Sequence, residues 1–162
     1  MSISAVEPDW SRETVTGGWE PSRRLLCAIR DYQRHQGLRR KLAVLRYRYW
    51  SVVTGADIPL NARIGGGLLL PHPNGVVIHP EAEIGPNCLL FQQVTLGAVA
   101  DRKGLPRLGG HVDVGAGAKI LGPVTIGDHA VIGANAVVLN DVPAGGVAVG
   151  TPARVIERKD KQ

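Results

Sequence analysis

From Ile58 onward the sequence returns to an aliphatic residue every six positions. Ile58, Ile64 and Leu70 are spaced in this way. Two extra residues follow Val76, and Ile84, Leu90 and Leu96 then resume the step. After a break the run Leu108, Val114, Ile120, Ile126, Ile132, Val138, Ala144 keeps it without a slip. A small or branched residue stands four places after most of these aliphatics: Ala62, Cys88, Val94, Val112, Ala118, Val124, Ala130, Ala136 and Val142. A helix repeats every 3.6 residues and a simple strand every 2, so a period of six fits neither. It is the signature of a β-helix, in which each unit supplies a short strand and a turn. Three units close one triangular coil, with the leading aliphatic pointing inward. Successive coils stack at the strand-pairing distance of about 4.8 Å. About four or five coils fit between Ile58 and Val149. Aromatic residues make up only 4% of the chain and Phe91 is its sole phenylalanine. Val, Ile, Leu and Ala must therefore fill the prism.

The fold class expected is mainly β, a parallel β-helix with a short N-terminal α-helical segment. Residues 1–20 read as a flexible polar lead-in, 21–55 as a basic helical segment, 56–157 as the β-helix domain and 158–162 as a polar tail. Pro21 opens a stretch with Leu25, Leu26, Ile29 and Tyr32 at helical spacing. Gly37 interrupts it, and Leu42, Leu45 and Val53 repeat the pattern before Gly55. The net charge is +5, and residues 21–55 hold nine Arg/Lys against the single acid Asp31, or +8. The remainder is therefore −3, so the basic character belongs to the helices. A helical cap on the open end of the prism explains this charge as a wet face, and peripheral contact with an anionic membrane is also compatible with it. No nucleic-acid-binding motif accompanies the charge. The N-terminus has no signal-peptide pattern and no run reaches the ~18 apolar residues of a membrane span, which reads as a cytoplasmic protein. Cys27 and Cys88 read as isolated small thiols.

Five histidines are candidates for chemistry: His35, His72, His79, His111 and His129. His35 reads as a solvated helix residue. His111 and His129 lie 18 residues apart, so they should stack on adjacent coils. His72 and His79 flank Pro73-Asn74-Gly75, where the repeat is irregular. A histidine there suits general-base work because its pKa lies near neutrality. Gly97–Arg107 breaks the repeat with charged residues, as a loop thrown from a corner does.

The stretches Gly55-Ala56-Asp57-Ile58, Leu70-Pro71-His72-Pro73-Asn74-Gly75-Val76-Val77, Gln93-Val94-Thr95-Leu96-Gly97, Gly115-Ala116-Gly117-Ala118-Lys119-Ile120-Leu121-Gly122 and Gly150-Thr151-Pro152-Ala153-Arg154-Val155-Ile156 resemble the catalytic domain of the serine acetyltransferases. Short polysaccharide-type O-acetyltransferases are close to the same pattern. The resemblance implies a left-handed prism, a homotrimer, and acetyl transfer from acetyl-CoA to the hydroxyl of L-serine or a related small alcohol, with no metal. It makes His72 the general base and Asp57, 15 residues earlier, its carboxylate partner. It also places acetyl-CoA in a groove between protomers, against Gly97, Ala98, Ala116 and Ala134, with Lys119 and Arg154 toward its phosphates.

The chain departs from that family's pattern around the acceptor. Pro71 replaces the aspartate before the catalytic histidine, and Gly104 and Leu105 stand where the family has an arginine and a histidine. Asp101 and Arg102 are the substitutes that the loop offers for substrate binding. These changes leave a sugar or polysaccharide precursor open as the acceptor. A γ-type carbonic anhydrase would need a zinc-binding histidine set that the four prism histidines do not reproduce. A non-catalytic scaffold would have no use for Asp57 and His72 as a pair.

Overall fold

The computed structural model describes residues 3–156, so the polar tail at 158–162 lies outside the described residues. Residues from Asp57 to Val149 form a left-handed parallel β-helix whose three faces are parallel sheets. On the first face, the strands at Arg63, Glu83, Arg107 and Thr125 stack in order. On the second, Leu69 bridges Leu89, and the strands at Leu89, Asp113, Val131 and Val147 continue the stack. On the third, Asp57 bridges Val77, followed by the strands at Thr95, Lys119 and Val137. With Ile126 bridging Val142 on the first face, these pairings make five coils. An antiparallel return, Arg154–Ile156 on Val147–Val149, closes the far end.

Each parallel strand turns its second residue inward, and except after Leu96 and Ala148 the residue four places later is buried too. The interior is thus a column of aliphatic and small side chains from Ile58 to Ala148. The pairing corrects the sequence register at two places. Ile58 pairs with Ile78, so Val76 fills the small-residue place and the two extra residues fall before it, in the Pro71–Gly75 corner. At the other end Val142, not Ala144, enters the core opposite Ile126, and Ala144 is exposed. The coil there is two residues short.

Two helices precede the prism, α1 (Pro21–Arg34) and α2 (Gly37–Thr54). Pro21 suits the first helical position because its missing N–H would have had no partner there. Gly55 ends α2 at φ 65°, its N–H donating to the Ser51 carbonyl. α1 buries Leu25, Leu26 and Ile29 in the prism core. Its Gln33 amide donates to the Leu60 and Ala62 carbonyls, which seats α1 on the first coil. α2 behaves differently from the sequence reading: Leu42, Leu45 and Val53 face outward, while Ala43 and Thr54 are buried and Tyr47 and Trp50 pack on the core.

The N-terminal segment also differs from the flexible lead-in expected for it. Residues 3–20 run along the prism and are fixed by two buried polar side chains. Asn87 donates from Nδ2 to the Ser4 and Glu7 carbonyls and accepts the Asp9 N–H at Oδ1. Glu13 pairs with Arg30 at 2.9 Å and accepts the Leu68 N–H. Trp10 closes against Gly66 and Ala5 against Gly110, where a side chain would clash.

Candidate active site

The corner joining the second face to the third is built from a ladder of residues in left-handed conformation: Gly75, Gln93, Gly117 and Asn135, with φ of 69°, 59°, 73° and 57°. Their N–H groups donate upward from coil to coil, Gly75 to Gly55, Gln93 to Asn74, Gly117 to Gln92 and Asn135 to Ala116, at 2.8–2.9 Å. In the first coil two added residues swell this corner, and His72 stands exposed on the swelling. The His72 ring lies 6.4 Å from the ring of Phe91, tilted by 32°. Phe91 belongs to the next coil, since Leu70 and Leu90 occupy equivalent places on bridged strands.

Asp57 sits at the start of the first coil, on the strand that pairs with the far side of this corner. Its N–H donates to the Val76 carbonyl at 2.8 Å, and its carbonyl accepts the Ile78 N–H at 2.9 Å. The backbone therefore hangs Asp57 and the His72 corner on one another, while no hydrogen bond joins the two side chains in a single protomer. Tyr47 of α2 lies close enough to feel Asp57: burial first, and then the carboxylate charge, raise its phenol pKa above the ordinary value. Tyr47 and Phe91 were missed in the sequence. Their only signals are an aromatic residue on a helix and the sole phenylalanine next to a repeat position.

Ala116 and Ala134 line the same corner two and three coils beyond His72, and Gly115 closes against the Ala134 backbone. Lys119 begins its strand on the third face and donates through Nζ to the Gln93 carbonyl. Gly97 ends its own strand on that face, paired with Leu121, so Gly97 and Ala98 lie across the face from His72. The charged loop leaves the prism there. Val99 and Arg102 form an antiparallel bridge, and Arg102 reaches down to the Leu139 carbonyl at 2.7 Å, which holds the loop along the prism. Asp101 is exposed at its tip. Arg154 is exposed at the far end, beside a hollow lined by Asn140, Asp141 and Ala153.

The structure thus gathers Asp57, His72, Ala116, Ala134 and Lys119 along one corner and face, and Gly97, Ala98, Asp101 and Arg102 along the opposite edge. Arg154 stands apart from both. A hollow lined by Arg12, Arg23, Leu68, Leu70 and Pro71 stops one residue short of His72. The cleft between the N-terminal segment and α1, lined by Trp10, Glu13, Cys27 and Arg30, does not include His72. His111 and His129 stack as their spacing implies, Nδ1 to Nδ1 at 2.8 Å, on the other corner of the second face. Among the described residues no group of three or more His, Cys, Asp or Glu is placed to hold a metal ion.

The family described as bacterial transferase hexapeptide (six repeats) matches residues 106–140. Serine acetyltransferase 5 of Arabidopsis thaliana is 46% identical over 127 residues, 76% of this chain and 40% of its own length. The soybean serine acetyltransferase complexed with serine superposes with a TM-score of 0.69 at 39% identity, over 84% of this chain and 56% of that one. A serine acetyltransferase in complex with CoA gives 0.73 at 36% identity, over 85% and 58%. The chain spans only 26–40% of the length of the first curated relatives it matches. Its repeat, its sequence and its fold agree with one another along the prism, and in all three the chain is similar to the serine acetyltransferases.

Proposed function

We propose that this protein transfers the acetyl group of acetyl-CoA to the hydroxyl of a small acceptor, L-serine or a related alcohol. The observation that carries the reading is the swollen first-coil corner. It interrupts the six-residue repeat to put an imidazole on the surface and ties it through the backbone to Asp57. His72 takes the proton of the acceptor hydroxyl as the oxygen attacks the thioester carbonyl. The tetrahedral intermediate collapses, the carbon–sulfur bond breaks, and the CoA thiolate leaves with the proton that His72 returns. Asp57 orients the ring and steadies the imidazolium while it carries that proton, and Phe91 backs the ring from the coil below.

Acetyl-CoA lies along the Ala116–Ala134 corner, where small side chains let its pantetheine arm approach the backbone, and reaches Gly97 and Ala98 from a second protomer. The two halves of the site occupy opposite edges of one face, which supports a homotrimer in which one protomer's histidine corner meets its neighbour's loop. Lys119 and Arg154 supply positive charge for the phosphates. The protein acts in the cytoplasm, where acetyl-CoA is available.

A sugar acceptor is the second reading. It is favoured by Gly104 and Leu105 in the loop, which offer no charged pair for an amino acid, and by Arg102, already engaged by the Leu139 carbonyl. The test is a thiol-release assay with acetyl-CoA against serine, homoserine and a panel of sugars, run beside His72→Ala. Turnover on serine that drops by about 10²-fold or more in the variant supports the first reading. Turnover confined to a sugar selects the second. Full activity in His72→Ala overturns the mechanism.

A further inference from the structure

We propose that α2 docks the protein on an anionic lipid surface. Six apolar side chains of this helix, Leu38, Leu42, Leu45, Tyr49, Val52 and Val53, are exposed to extents from 37% at Val53 to 84% at Val52. At 100° per residue they fall within one arc about 100° wide, and they run about 22 Å along the axis. The buried face of the helix is the opposite one, carrying Ala43 and Thr54. The outward arc is thus not a core face awaiting the prism. A helix that leaves leucines in water while burying an alanine on its other side has a second surface to meet.

The flanks of the arc say what kind. Lys41 and Arg48 border one side, Arg39 and Arg46 the other, and α2 contains no Asp or Glu. Arg39, Lys41 and Arg48 make no ion pair among the described residues; Arg46 pairs with Asp31. An apolar arc edged by long cationic side chains is the form of a helix lying in a membrane interface, its stems alongside the acyl chains and its charges at the headgroups. Tyr49 lies in the arc, and Trp19, 72% exposed, stands against Trp50 nearby. Both ring types favour that boundary.

A second copy of the chain fits the arc less well. In a coiled-coil pairing built on Leu38, Leu42, Leu45, Tyr49 and Val52, the four flanking positions that face the partner are Arg39, Lys41, Arg46 and Arg48. Self-association would set cation against cation. The arc also extends beyond such a seam to Val53. The helices sit at the first-coil end of the prism, so docking through α2 leaves the three faces and the far end free.

The experiment is co-sedimentation of the full chain with vesicles of phosphatidylcholine, and of phosphatidylcholine with one third phosphatidylglycerol. Binding is expected to the second and not the first, and to weaken as salt rises. The double variant Leu42→Ser/Leu45→Ser, with native circular dichroism and oligomer size, should bind at least about tenfold more weakly. Arg39→Gln/Arg48→Gln should lose a similar factor on anionic vesicles. Equal binding by wild type and the leucine variant overturns the proposal, as does absence of binding to both vesicles. A particle mass that the leucine variant halves would assign the arc to a second copy. Capture of an acidic amphipathic peptide without vesicle binding would assign it to a partner helix.

Discussion

The Glu13–Arg30 pair joins three parts of the molecule that are distant in sequence, so its removal has a calculable cost. Glu13 is 7% exposed and Arg30 11%. Glu13 accepts from Arg30 Nε at 3.1 Å and Nη2 at 2.9 Å, and from the Leu68 N–H at 3.0 Å. Arg30 also donates to the Ile64 and Gly65 carbonyls at 2.7 and 2.8 Å. In Glu13→Ala the guanidinium remains buried without its counter-charge, a change that costs about 3–5 kcal/mol in comparable pairs. The two carbonyls still satisfy part of Arg30, which pulls the value down. The orphaned Leu68 N–H pushes it up by about 1–3 kcal/mol, and the two effects overlap. The expected loss is about 3–4 kcal/mol, or about 6–16 °C in Tm for a chain of this size. Urea unfolding followed by circular dichroism measures it, and limited proteolysis should find new cleavage among residues 3–12 as the segment comes off the prism. Adding Arg30→Met removes the stranded cation, so the double variant should be less destabilised than the sum of the singles by at least about 1 kcal/mol. A loss below about 1 kcal/mol for Glu13→Ala, or strict additivity, would refute the view that this pair anchors the segment.

Burial pushes the Cys88 thiol up to about 11 from the usual 9.0. The unfolded chain therefore releases this proton first, and stability should fall between pH 9 and 11, by about 2–3 kcal/mol. Cys88→Ala, a residue used at the same repeat place elsewhere, should flatten that alkaline slope in urea titrations. Gly75→Val places a branched side chain at φ 69° and within 3.1 Å of Gln93. It should lower kcat by about tenfold or more by tilting the His72 corner, and an unchanged kcat would mean the corner is not strained by it. If the proposed acetyl transfer holds, Phe91→Ala should lower kcat with little change in the KM for acetyl-CoA, since the Phe91 ring lies 6.4 Å from that of His72. Ala134→Leu should do the reverse, raising that KM at near-constant kcat.

The six-residue period determined the prism without help from tertiary structure. A coil closes only if every sixth side chain points inward, so the aliphatic column and the small residues behind it were legible at almost every position. The same regularity made departures visible, and so His72 and the loop after Gly97 stood out as interruptions. Asp57 was singled out only through resemblance, because nothing in its own neighbourhood marks a residue whose backbone pairs with the His72 corner. Where the extra residues sit was decided by strand pairing. Hydrogen bonds from Asp57 to Val76 and Ile78 put the swelling before Val76, and the bridge from Ile126 to Val142 shortened the last coil. The N-terminal segment looked free because its sequence is polar. Its order comes from Asn87 and Arg30, side chains that only the folded prism brings within reach. Helical spacing showed that α2 has an apolar face but not which way it turns: α1 and the first coil take the side with Ala43 and Trp50, and the leucines are left outward because a helix docked on one surface has its other side in solvent.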